Sequence, residues 1–248
     1  MSRLHRVIFF AIATTVVAFG QGYFPHVTWG GGWQMGVRVV NLDSATTAAA
    51  TLSFYDNSGN PLPVPINGTI VAGVYNFTIP PSGAAALSLP ADGTSVEGWA
   101  RLDTNGGSGA GLVMFTYNTT GKPDFSATIP FIPDGSGCII PLPASTPQYA
   151  VPFDNSSGNA TAIAFANTDS SNASPTVELY DESGTLIASA QVSLTAKGHS
   201  SFMLTDKFPA AAGNRGTIIV QTDIKKVGVL ALLVLPNGTI TTLLPLGQ

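Results

Sequence analysis

The residues best suited to nucleophilic chemistry stand close together at His199-Ser200-Ser201, with Asp206 shortly after them. A serine hydrolase needs a nucleophile, a base and an acid that orients the base. The sequence contains no G-x-S-x-G elbow to expose such a serine. We therefore expect His199 to be a strand residue with a satisfied ring, and we assign no catalytic residue.

Metal chemistry has little support in the sequence. Cys138 with His26 and His199 does not give zinc spacing. The stretch Asp56-Asn57-Ser58-Gly59-Asn60 is as rich in oxygen as a calcium loop, but no Glu follows at the required position. A local turn, in which the Asp side chain binds its own backbone, explains this stretch without a metal. No metal or cofactor is predicted.

Paired carboxylates for glycoside hydrolysis could come from Glu97, Glu178 or Glu182. Glu97 stands beside Gly98-Trp99, but Glu178 alternates with Val177 and Leu179 and should face solvent. We expect these groups to be solvated strand carboxylates.

Aromatic residues offer a different chemistry, because a flat sugar face can stack on an exposed ring. The candidates for ligand contact are Trp29, Trp33, Tyr55 and Tyr180. Tyr55 and Tyr180 are predicted at equivalent outward positions of their strands. The alternative is that these rings cover cross-strand neighbours and seal the sheet surface.

Both tyrosines belong to a repeated unit that organises the chain. Phe54-Tyr55-Asp56-Asn57-Ser58-Gly59 has an echo in Leu179-Tyr180-Asp181-Glu182-Ser183-Gly184, 125 positions later. Each copy ends an alternating apolar run with Tyr-Asp and turns through a Gly. Asp56, Gly59, Asp181 and Gly184 are therefore predicted to form structural turns between paired strands.

The rest of the chain favours strands over helices. Charged residues make up 10% of the chain, 44% is apolar, and short apolar runs alternate with Gly, Pro, Asn and Asp. We predict an all-β protein of two tandem antiparallel, immunoglobulin-like β-sandwich domains related by internal duplication. Residues 21–132 form the first domain, residues 133–148 a linker rich in Pro and Gly, and residues 149–248 the second domain.

The N-terminus predicts export. A basic start with Arg3 and Arg6 precedes an uncharged apolar run, and Ala18-Phe19-Gly20 supplies small residues for cleavage before Gln21. Residues 1–20 are thus expected to be a cleaved signal peptide, leaving a mature chain without a membrane span. Cys138 is the one cysteine of the chain, so it is either buried or paired between chains.

The motifs together resemble a repeated β-sandwich domain of unknown function found in secreted bacterial proteins. They are Phe24-Pro25, the Gly30–Trp33 segment, Asn41, the Tyr-Asp-x-x-Gly hairpin, and Gly98-Trp99-Ala100 with its counterpart Arg215-Gly216. The resemblance covers most of the mature chain and implies an exported β-sandwich without catalysis.

The expected role is a secreted, non-catalytic structural or adhesive protein of the bacterial cell surface or extracellular matrix. A carbohydrate-binding module that uses exposed aromatic residues is the first alternative, and a hydrolase with an unrecognised site is the second. Expected partners are an extracellular glycan or another surface protein, and self-assembly with further copies of the chain is another alternative. The net charge of −4 and the lack of a long basic run argue against nucleic acid.

Overall fold

The structure is a computed structural model that describes residues 20–105, 109–117, 125–133, 140–141, 148–222 and 226–247. It confirms an all-β fold of antiparallel sheets packed as sandwiches. The predicted signal segment up to residue 19 and Cys138 lie outside the described residues. Within them, no helix is both long enough and apolar enough to cross a membrane.

The described residues of the first sandwich form eleven strands. They are β1 Gln21–Trp29, β2 Trp33–Asn41, β3 Ala48–Tyr55, β4 Val64–Ile66, β5 Thr69–Val71, β6 Val74–Ile79, β7 Ala84–Leu89, β8 Val96–Asp103, β9 Gly109–Tyr117, β10 Phe125–Pro130 and β11 Ile132–Pro133. One sheet has the order β11-β1-β8-β3-β6 and the other β10-β9-β2-β7, while β4 and β5 pair with each other.

The second sandwich repeats this plan with one short helical segment. Its elements are β12 Ile140–Pro141, β13 Gln148–Asp154, β14 Ala160–Asn167, β15 Thr176–Asp181, β16 Leu186–Gln191, β17 His199–Met203, α1 Leu204–Lys207 followed by a 3-10 turn at Pro209–Ala211, β18 Arg215–Gln221, β19 Val227–Val234, β20 Ile240–Leu243 and β21 Leu246–Gly247. The sheet orders are β12-β21-β13-β18-β15-β16 and β17-β14-β19-β20.

The two halves therefore share one strand order. The sheet order β11-β1-β8-β3-β6 corresponds to β21-β13-β18-β15-β16, and the sheet order β10-β9-β2-β7 corresponds to β20-β19-β14-β17. Their origin from a duplicated ancestor stays a prediction. Inside the predicted linker, β12 pairs in parallel with β21, so part of that segment is an edge strand of the second sandwich.

The alternation of apolar residues positions both cores. Leu52 and Phe54 of β3 are fully buried, and so are Val177 and Leu179 of β15. Period-two alternation places each pair on the inward face of its strand. The residues between them point to the other face of the sheet, where they are half-buried.

A buried asparagine ends the equivalent strand in each half. The Asn41 side-chain amide donates to the carbonyls of Thr46, at 2.8 Å, and Ile79, at 3.2 Å. The Asn167 amide donates at 2.7 Å to the carbonyls of Ser171 and Thr195. Each Asn thus pairs loop carbonyls that burial would otherwise leave without a hydrogen bond.

Gly98 and Gly216 show why the Gly-containing strand motif recurs. A Cβ at Gly98 would lie 2.1 Å from the carbonyl oxygen of Tyr55, and one at Gly216 would lie 2.0 Å from that of Tyr180. Since real contacts of this kind do not fall below 3.0 Å, any larger residue would push apart the two strands next to the Tyr-Asp turn.

Candidate functional site

The turn at Asp56–Gly59 lies against the second sandwich. Thr195 Oγ1 donates to the Ser58 carbonyl at 3.1 Å, and the His199 backbone N–H donates to the Asn57 carbonyl at 3.3 Å. A Cβ on Gly59 would lie 2.0 Å from the Ala196 carbonyl oxygen. The organising turn of the first half is therefore also a contact between the halves.

The equivalent turn of the second half, Asp181–Gly184, has the same internal geometry but a different environment. Asp56 Oδ1 accepts the backbone N–H of Ser58 at 2.8 Å, and Asp181 Oδ1 accepts that of Ser183 at 2.9 Å. The glycines that close the turns, Gly59 and Gly184, have φ values of +86° and +79°. A Cβ built on Gly184 would have no atom of the described residues within 4 Å.

Both turns hold their Asp by hydrogen bonds from the protein itself. Hydrogen bonds from Ser183 and Thr185 lower the pKa of Asp181. In the part of the chain that the structure describes, no group of three or more His, Cys, Asp or Glu side chains could hold a metal ion.

Tyr55 is packed between the sandwiches and does not form an open platform. Its ring stacks on Trp99 with centroids 4.7 Å apart, and Lys197 Nζ lies 5.2 Å from its centroid. Trp99 is buried and its Nε1–H donates to the Lys197 carbonyl at 2.7 Å. Of the two predictions for this ring, the structure agrees with the covering role, because the second sandwich lies over the outward face of β3 at this point.

The other predicted aromatic residues separate into three environments. Trp29 is only 4% exposed and packs edge-on against Phe54, so it cannot offer a ring to a ligand. Tyr180 is half-buried and its hydroxyl donates to Glu178 at 3.0 Å. Trp33, also half-buried, lines the cavity described below.

A chain of polar side chains crosses the contact between the sandwiches. His26 Nδ1 lies 3.1 Å from His199 Nε2, and His199 Nδ1 lies 2.7 Å from Asn57 Oδ1. Asn57 Nδ2 donates to Glu97 Oε1 at 3.0 Å, and Ser201 Oγ donates to Glu97 Oε2 at 2.6 Å. The chain links β1, β8 and the first turn to β17.

The two imidazoles in this series of hydrogen bonds, His26 and His199, are neutral near pH 7. Burial lowers the pKa of His26 to about 4, although the nearby Glu97 carboxylate acts in the opposite direction. Burial, followed by the proximity of His26, lowers the pKa of His199 well below 6.5. Desolvation disfavours the charged imidazolium, which accounts for both shifts.

A cavity of about 270 Å³ opens beside this chain, between the two sandwiches. Trp33 and Phe115 contribute aromatic walls, and aliphatic side chains of β14 and β19 complete them. His26, Glu97 and Ser201 are its main polar groups. An apolar cavity with a few convergent polar groups is the usual form of a small-molecule site.

The remaining candidates for chemistry are dispersed. Asp206 is exposed in α1, and His199 makes its side-chain hydrogen bonds to His26 and Asn57. Glu182 forms an exposed ion pair with Arg215 at 2.7 Å. Ser201 does reach a carboxylate, but that carboxylate is Glu97, which sequence spacing could not connect to it.

Comparisons with known proteins leave the family open. No protein-family model matches the chain, and no curated protein matches it. Solved structures with partial similarity include a Bacteroides fragilis protein named as a β-galactosidase, with 15% identity over 93% of this chain and 33% of that chain and a TM-score of 0.18. A glycosyl hydrolase family 2 member from Bacteroides cellulosilyticus DSM 14838 has 13% identity over 92% of this chain and 28% of that chain, with a TM-score of 0.16. The Bacteroides uniformis β-glucuronidase has 13% identity over 93% of this chain and 26% of that chain, with a TM-score of 0.17.

The chain spans about a third or less of the length of these structures. TM-scores this low carry no argument about fold or activity.

Proposed function

We propose that this chain is an exported, non-catalytic structural or adhesive protein that contacts its partner at the cavity between its two sandwiches. The cavity carries the proposal, because it combines aromatic walls with a few polar groups in a contact held by several hydrogen bonds. An extracellular glycan or another surface protein is the partner.

The hydrogen bonds of the polar groups support a binding role over a catalytic one. Ser201 donates to Glu97, and both histidines belong to the chain that ends on Asn57. In this arrangement the serine hydroxyl is not paired with an imidazole base, as it is in a hydrolytic triad. The same groups are instead well placed to fix the orientation of a bound molecule.

Binding is tested by exposing the exported protein to glycan arrays and to extracts of extracellular matrix, with wild type compared to Trp33→Ala. We expect retention that is lost in the variant while its thermal unfolding stays cooperative. Trp29→Phe serves as the matched control, since Trp29 lies in the core outside the cavity. Equal retention by wild type and Trp33→Ala would contradict the cavity as the contact.

A carbohydrate-binding module is the second candidate, and the position of Trp33 favours it. The ring stands at the cavity wall beside Tyr117, with centroids 4.6 Å apart. An aromatic face at a cavity mouth can stack on a sugar ring. Retention on glycan arrays alone would support this narrower function.

A hydrolase is the third candidate, since Ser201 Oγ lies 2.6 Å from a carboxylate that could act as its base. Turnover on a panel of esters and glycosides that disappears in Ser201→Ala would establish it. Binding without turnover on that panel would reject it.

Export has its own test. The cleavage point predicted from the sequence lies directly before Gln21, where β1 begins. N-terminal sequencing of protein recovered from outside the cell should begin near Gln21, whereas an intact Met1 would refute cleavage.

A further inference from the structure

The hydrogen-bond chain beside the cavity has one consistent direction. A carboxylate only accepts hydrogen bonds, so the Asn57 amide nitrogen faces Glu97 and its Oδ1 faces His199. His199 must then donate through Nδ1–H, which leaves its Nε2 as an acceptor when the ring is neutral. His26 consequently donates through Nδ1–H, and its own Nε2 carries a lone pair.

The hydroxyl groups of the cavity are likewise left as hydrogen-bond acceptors, because their protons are donated within the protein. Ser201 uses its proton on Glu97, and Thr28 uses its proton on the Val96 carbonyl at 3.0 Å. Both oxygens keep lone pairs. Glu97 itself has accepting capacity beyond its bonds to Asn57 and Ser201. The cavity therefore presents acceptors: a carboxylate, an imidazole nitrogen and two hydroxyl oxygens.

Among the described residues, the charge of Glu97 has no ion-pair partner, because no Lys or Arg lies within ion-pair distance of it. The neighbouring His26 is neutral near pH 7, and Lys197, at the same contact, has its ammonium over the Tyr55 ring. A partly buried negative charge without a counter-ion is costly and favours a cation from outside.

The walls of the cavity suit the rest of such a ligand. Trp33 presents aromatic surface, with Phe115 packed edge-on behind it, and aromatic faces attract cations as well as apolar groups. A cavity of about 270 Å³ limits the ligand to a small molecule or a single group of a larger one.

We propose that the cavity binds a small primary amine, whose ammonium group donates to Glu97 and to His26 Nε2 while its body lies against Trp33 and Leu232. This inference rests on the proposed function and names the ligand chemistry of the same site. An ammonium offers three donors and no acceptor, which complements the polarity of the cavity.

Two matched ligand pairs test the charge requirement by calorimetry on the whole exported chain. The pairs are glucosamine with N-acetylglucosamine, and 2-phenylethylamine with 2-phenylethanol. At about pH 6.5 an aliphatic ammonium is protonated while both imidazoles are neutral. We expect the charged member of at least one pair to bind about tenfold more tightly, or better, than its neutral partner. The pair that shows this preference separates an amino sugar from an arylalkylamine.

Glu97→Gln removes the charge and preserves the shape of the side chain. Its amide oxygen can still accept from Asn57, and its nitrogen can donate to the Ser201 oxygen, so the contact between sandwiches should survive. We expect amine affinity to fall about tenfold or more. Glu178→Gln is the matched control, because Glu178 also accepts from two side chains, Tyr180 and Gln221, but lies outside the cavity.

The outcomes separate this inference from the proposed function. Preference for the amines in wild type supports it even if Glu97→Gln folds poorly. Equal binding of charged and neutral partners, or unchanged amine binding in a folded Glu97→Gln, would overturn the amine and leave the cavity as a site. Absence of binding by all four probes would also overturn the amine. If glycan and matrix retention failed as well, the proposed function would fall with it.

Discussion

Gly59→Ala and Gly184→Ala form a matched pair that measures what the contact between sandwiches contributes. Each replaces a glycine with positive φ in the same kind of turn. The left-handed backbone alone should cost about 1–2 kcal/mol at either position. Only the Gly59 variant also meets the second sandwich, with its Cβ 2.0 Å from the Ala196 carbonyl oxygen.

Relief of that overlap requires a separation of about 1 Å or more, because such contacts do not fall below 3.0 Å. The movement would weaken the bonds from Thr195 to Ser58 and from His199 to Asn57, each worth roughly 1 kcal/mol. We expect Gly59→Ala to lose roughly 2–3 kcal/mol more than Gly184→Ala.

Urea denaturation, followed by Trp fluorescence and by circular dichroism, gives the two unfolding free energies. A larger loss in Gly59→Ala than in Gly184→Ala, or a second transition that appears only in Gly59→Ala, would agree with the docked turn. Equal losses in the two variants would refute the reasoning, because the twins differ only in what lies opposite them.

Three further perturbations probe the same framework. The pKa values of His26 and His199 are lowered in the folded protein, so the unfolded chain takes up protons first as the pH falls. The free energy of unfolding should therefore fall as the pH drops from about 6.5 to about 4, by about 3 kcal/mol for His26 alone. Unfolding free energies that stay level across this window would contradict it. Trp99→Phe removes the 2.7 Å bond to the Lys197 carbonyl and should cost about 1–2 kcal/mol by urea titration, whereas an unchanged midpoint would argue against the bond. Asn41→Ala leaves buried loop carbonyls without a donor and should cost on the order of 2–4 kcal/mol; a loss well below 1 kcal/mol would be inconsistent with that role.

The strands and turns could be predicted because their signals are local. Alternation at Leu52 and Phe54 specifies an inward face from neighbouring residues alone. The Asp and Gly of each turn form their bonds within four positions. For such features the sequence contains both partners side by side.

The candidate site could not be predicted in the same way, because its bonds join distant positions. Glu97 meets Ser201 across 104 positions, and Asn57 meets His199 across 142. Alternation places Tyr55 on the outward face of β3, and Glu97 is expected to be a solvated strand carboxylate. The structure finds both side chains half-buried where the second sandwich packs on that surface. Strand periodicity contains no information about a neighbouring domain.

The shared strand order identifies the positions of the second half that are equivalent to Glu97 and Asn57. The pairing of β3 with β8 and of β15 with β18 places Phe54 opposite Ala100 and Leu179 opposite Ile218, so the two strand pairs have the same register.

Glu97 therefore corresponds to Arg215, and Asn57 corresponds to Glu182. In the second half these positions form an ion pair of 2.7 Å at the surface. In the first half they form an amide–carboxylate bond of 3.0 Å at the contact between sandwiches. An amide orients a carboxylate without neutralising it. The Glu97 carboxylate therefore keeps its charge at the contact between the sandwiches, where it lines the cavity beside Trp33.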